Sequence, residues 1–134
     1  MKKLLLLFML GILVIACKKE VLVPNSGIYR GTFTKYDSAG DTIVNAVTWM
    51  SMDDNQLTFT MTTDSLVFAP AQHYGTYAVE NASAITFKNS SDVGPPYQPD
   101  YYLDTIYTYS FDDKNFKFWQ TIGDYFYEYD LVRW

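Results

Sequence analysis

The chain has 134 residues, 24 of them aromatic, and a formal net charge of −5. With 10 Lys and Arg against 15 Asp and Glu and no basic stripe, it excludes nucleic acid as a partner. The aromatic content and a charged fraction of 19% supply one packed domain and exclude a disordered chain.

Met1-Lys2-Lys3 precedes an apolar run, Leu4 to Ala16, in which only Gly11 lacks an apolar side chain. As a helix this run reaches about 20 Å, short of a hydrocarbon core of roughly 30 Å. Its position, basic start and length predict an export signal over residues 1–16. The run ends in Val14-Ile15-Ala16-Cys17, an aliphatic residue three before a cysteine and a small one directly before it. This resembles the lipobox of bacterial lipoproteins. The resemblance implies a diacylglyceryl group on the Cys17 thiol, cleavage before Cys17, and a membrane partner engaged through that lipid. Cys17 is the single cysteine, so an intrachain disulfide is excluded. Losing Lys2 and Lys3 with the signal takes the net charge from −5 to −7. The Cys-Lys-Lys-Glu start and aromatic body are similar to lipoproteins of Bacteroidetes. Lys18 after the cysteine implies an outer-membrane destination, with the leaflet open.

Residues 17–26 form a lipidated tether containing Pro24 and Asn25, and residues 27–134 form the domain. The domain alternates with period two, interrupted by turn formers every eight to twelve positions, which predicts strands. These run over Ile28 to Tyr36, Thr42 to Met52, Gln56 to Thr62, Ser65 to Ala69, Tyr74 to Glu80, Ala84 to Asn89, Leu103 to Phe111, Phe116 to Thr121 and Tyr125 to Arg133. Glu128 and Asp130 mark one face of the last strand as outward, so Tyr125, Tyr127, Tyr129, Leu131 and Arg133 are expected inward. Likewise Leu57, Phe59 and Met61 oppose threonines, Phe116 and Phe118 oppose Lys117, and Thr105, Tyr107, Tyr109 and Phe111 oppose Thr108 and Ser110. The fold class is all-β: a single antiparallel up-and-down barrel of about eight strands, with a two-sheet sandwich as the alternative.

Gly27-Ile28-Tyr29 on the first strand and Arg133 on the last resemble the Gly-x-Trp and closing basic residue of lipocalin-like, or calycin, barrels. The resemblance implies that Arg133 lies over or beside the Tyr29 ring and closes one barrel end. It also implies a ligand, small and apolar or a glycan, lined by inward rings. The candidates are Tyr29, Phe33, Phe59, Tyr77, Phe87, Tyr107, Tyr109, Phe118, Tyr127 and Tyr129. Short strands and large rings favour a filled interior instead.

The long connection from Ser90 to Tyr102 offers Tyr97, Tyr101 and Tyr102 either as exposed contacts for sugar or protein or as a lid over a barrel end. His73, beside Pro70 and Gly75, is expected in a loop, and with no second histidine or thiol no metal and no cofactor are implied. The pairs Asp53-Asp54 and Asp112-Asp113 sit in turn-forming clusters, where solvated turn carboxylates are favoured over a glycosidase pair. Asp-Ser/Thr-apolar sequences at Ser38, Thr42, Ser65 and Thr105 resemble acceptor sites for O-glycosylation in Bacteroidetes and equally suit turn-to-strand junctions. The expected function is a non-catalytic envelope lipoprotein that binds such a ligand or acts structurally. The alternative is an enzyme, or an enzyme inhibitor or other protein-interaction module.

Overall fold

The computed structural model describes residues 21–64, 72–92 and 101–134. They form eight strands: β1 (Gly27–Tyr36), β2 (Thr42–Asp53), β3 (Thr58–Thr63), β4 (Gln72–Asn81), β5 (Ala84–Asn89), β6 (Ile106–Phe111), β7 (Asn115–Ile122) and β8 (Tyr125–Arg133). Each pairs antiparallel with the next, and β8 returns to β1, closing an up-and-down barrel. The alternative of two open sheets is thereby set aside. The proposed strand 65–69 lies outside the described residues, and the barrel closes without it.

Turn chemistry fixes the hairpins. The Asp37 carboxylate accepts from the Ala39 and Asp41 amides, and Gly40 takes a φ of 87° that favours glycine. The carboxylates of Asp53 and Asp112 likewise accept from amides two and three residues on, so the two aspartate pairs serve their turns.

Parity places the core. Tyr29 and Phe33 on β1, Met50 and Met52 on β2, and Phe59 and Met61 on β3 point inward, as do Tyr77, Ile85 and Phe87 on β4 and β5. Tyr107, Tyr109, Phe116, Phe118, Tyr127, Tyr129 and Leu131 complete the buried set from β6, β7 and β8. Rings pack side by side along the inner wall: Phe33 meets Tyr129 at 4.9 Å between centroids, Tyr129 stacks on Phe118 at 4.5 Å, Phe118 meets Phe87 at 5.2 Å, and Phe87 meets Phe59 at 5.1 Å. The last contact spans β4, which lies between β5 and β3, because the inward position on β4 is Gly75. A Cβ there would stand 3.0 Å from Phe59 Cε1 and 1.9 Å from the Lys88 carbonyl oxygen.

Four positions depart from simple alternation, Arg133 among them: it is exposed at the end of β8, where its guanidinium bonds to the tether. Leu57, expected inward with Phe59, is exposed, because it adopts a φ of 53° in the hairpin before β3 and so precedes the pleat. Thr105 is exposed, because β6 begins only at Ile106. Tyr125, the first residue of β8, is also exposed, at the barrel rim.

Candidate functional site

The two ends of the barrel differ. One end, where β1 starts and β8 finishes, is strapped by the tether. Pro24 is buried there, and Tyr109 donates its hydroxyl to the Leu22 carbonyl at 3.1 Å. Tyr29 and Arg133 are cross-strand partners at this end. Tyr29 donates its hydroxyl to the Asn25 carbonyl at 2.8 Å and to Asn25 Oδ1 at 3.1 Å, while Arg133 Nη1 donates to the same Oδ1 at 3.1 Å and Nη2 to the Ser26 carbonyl at 2.8 Å. Arg133 therefore grips the tether from the end of β8. The reason is local: the tether brings carbonyl acceptors that the guanidinium needs. Burial raises the Tyr29 pKa, partly offset by the Arg133 charge.

At the opposite, loop end the inward positions turn polar: Lys35, Thr48, Thr63, His73, Gln120 and the hydroxyl-bearing Tyr107 and Tyr127. Lys35, Tyr127 and Gln120 are successive cross-strand partners on β1, β8 and β7. Lys35 is only 7% exposed. Its Nζ lies 4.2 Å from the Tyr125 ring centroid, 5.1 Å from Tyr127 and 5.2 Å from Tyr101, so ring faces replace water around the ammonium. Among the described residues no carboxylate lies within ion-pair distance of it.

His73 is not in a loop. It sits on β4 at 1% exposure, edge-on to Phe59 and Tyr102, its Nε2 accepting weakly from the Leu103 amide at 3.5 Å and its Nδ1 unpartnered. Burial pulls its pKa down to about 4, so it is neutral in the folded protein. Tyr101 and Tyr102 are also buried, as in the lid alternative and not as exposed contacts. They lie over the loop end, Tyr101 against Phe33 and Tyr127 and Tyr102 against His73, because their rings gain more by capping the core than by facing water. Tyr97 lies outside the described residues, as do Cys17 and Ser65. Ser38, Thr42 and Thr105 are all exposed.

A concavity opens beside this polar layer. The register of β6 with β7 ends at Thr108↔Trp119, although β6 starts two residues earlier and β7 continues to Ile122. Meanwhile β6 stays paired with β5 to Thr86↔Ile106, and β7 with β8 to Ile122↔Tyr125. The wall splits at the loop end, and there lies a cleft of about 540 Å³ lined by Tyr102, Asp104, Thr105, Gln120, Thr121, Ile122 and Gly123. Gln120 Nε2 donates to the Tyr107 hydroxyl at 2.7 Å, fixing the amide at the inner edge, and Asp104 Oδ1 accepts from the Asn89 amide at 3.0 Å. Burial raises the Tyr107 pKa well above the ordinary phenol value, so its hydroxyl stays protonated. Amide, hydroxyls and a carboxylate beside one aromatic ring can hydrogen-bond a polyhydroxylated molecule.

Of the ten rings expected to line a ligand, all are buried in the core and none lines this cleft. Sequence reasoning missed Lys35 and Gln120, although each shares inward parity with its neighbours: Lys35 with Tyr29 and Phe33, Gln120 with Phe116 and Phe118. Among the described residues no cluster of His, Cys, Asp and Glu suits a metal ion. No protein-family model, characterised protein or solved structure matches the chain.

Proposed function

We propose that the chain is a lipid-anchored lipoprotein of the bacterial outer membrane whose lipocalin-like barrel is a non-catalytic module that binds a glycan at its loop end. The closed eight-strand barrel is compatible with that fold, and the lipobox-like run ending at Cys17 supports the anchor. One observation carries the ligand class: the inward rings are buried against one another in the core, whereas the cleft in the β6–β7 wall presents polar groups beside Tyr102. That favours a sugar over an apolar guest. Ser38 and Thr42, exposed on the β1–β2 hairpin and not among the cleft-lining residues, are the candidate O-glycan acceptors.

The test of binding is a titration of neutral and amino-sugar oligosaccharides followed by amide NMR. Shifts are expected at residues 102–105 and 120–123 and are lost in Thr121→Trp, which fills the cleft. No shifts, or shifts confined to other strands, would overturn the reading. For the anchor, a fatty-acid analogue is expected to label the wild type and not Cys17→Ala, and an unlabelled wild type removes it.

A further inference from the structure

The exposed apolar side chains are not spread evenly. Of the eleven large ones among the described residues, Val21, Leu22, Val23, Ile28, Leu57, Val132 and Trp134 lie at the tether end. Ile28 and Trp134 adjoin across the β1–β8 seam, where the Trp134 amide donates to the Ile28 carbonyl at 2.8 Å, and Val132 follows on the same outward face. Trp134 is 85% exposed.

The tether fixes how far this face can lie from a membrane. It is pinned to the barrel at Leu22 by the Tyr109 hydroxyl and again at Asn25. Between Cys17 and Leu22 the chain spans at most about 18 Å, at roughly 3.3–3.6 Å per residue. A lipid on Cys17 therefore holds the tether end within that distance of the headgroups, with the loop end at the opposite pole. Carboxylates of Asp53, Asp54, Asp112 and Asp113 rim the tether end beside Lys114 and Arg133, so its charge is mixed and the apolar side chains distinguish it. A tryptophan beside aliphatic side chains suits the interfacial zone of a bilayer.

We infer that the tether end, with the Ile28–Val132–Trp134 face, rests on the bilayer surface and that the β6–β7 cleft opens away from the membrane. The inference rests on acylation of Cys17, and the experiment separates the two. The full chain is isolated with its lipid, acyl incorporation is read from a fatty-acid analogue, and the protein is placed in vesicles of phosphatidylethanolamine and phosphatidylglycerol. A fluorophore is attached through Lys114→Cys at the tether end or Asp124→Cys at the loop end, and quenching by a headgroup spin-labelled phospholipid is measured. The Lys114→Cys probe is expected to be quenched several-fold more than the Asp124→Cys probe. Serine at Ile28, Val132 and Trp134 together is expected to shrink that difference without changing acyl incorporation. Equal or reversed quenching in acylated protein overturns the orientation alone. Absence of acylation overturns the anchor and the orientation with it.

Discussion

Tyr29 and Arg133 face each other across the β1–β8 seam and meet on a single side-chain oxygen, Oδ1 of Asn25. The seam and the tether are thus one unit. Arg133→Ala is expected to destabilise the domain by about 1–2 kcal/mol, the range of a charge-assisted hydrogen bond discounted for exposure. Because the two side chains act through Asn25, Arg133→Ala and Tyr29→Phe are expected to be non-additive in a double-mutant cycle read by urea unfolding.

His73 makes stability depend on pH. Its folded pKa of about 4 lies below the ordinary 6.5, so between these values the unfolded chain binds the proton and the folded one does not. The stabilisation is complete above pH 6.5 and falls away as pH drops towards 4, in total about 3 kcal/mol. His73→Phe is expected to lose less stability than wild type between pH 7 and 4.5. Equal losses would remove His73 as the cause, since the carboxylates are common to both proteins.

Gly75→Ala is expected to cost about 3 kcal/mol or more, because its Cβ would collide with the Lys88 carbonyl and the Phe59 ring. Gly40→Asn is the contrast. Nothing lies within 4 Å of a Cβ there and asparagine tolerates positive φ, so a change within about 1 kcal/mol is expected. Thermal melts of the two variants check both.

The ring cage around Lys35 predicts a coupling. Tyr125→Ala is expected to destabilise the wild type more than it destabilises Lys35→Met, by about 1 kcal/mol, since methionine has no charge for the ring to hold. Equal effects in the two backgrounds would show that Tyr125 contributes packing only.

Alternation made most of the barrel legible. Glu128 and Asp130 marked the outer face of β8 and so predicted Tyr127, Tyr129 and Leu131 inside, where they are. The rule fails where a strand starts. Leu57 and Thr105 precede β3 and β6, and outside the pleat their parity carries no face. It also hides inward polar residues such as Gln120, whose amide looks outward by chemistry although its register with Tyr127 places it on the core face. The burial of Tyr101 and Tyr102 has no periodic signature, because a cap over a barrel end is set by tertiary packing. The split between β6 and β7 is equally silent, being a divergence of two strands whose other edges remain paired.

Asn25 and Arg133 hydrogen-bond across 108 positions of the chain. Every other strand pairing in the barrel joins neighbours in sequence, so this seam is the one pairing that brings together the two ends of the strand order. Until β8 has paired, β1 keeps an open edge. A chain lacking β8 would expose two open edges to its neighbours.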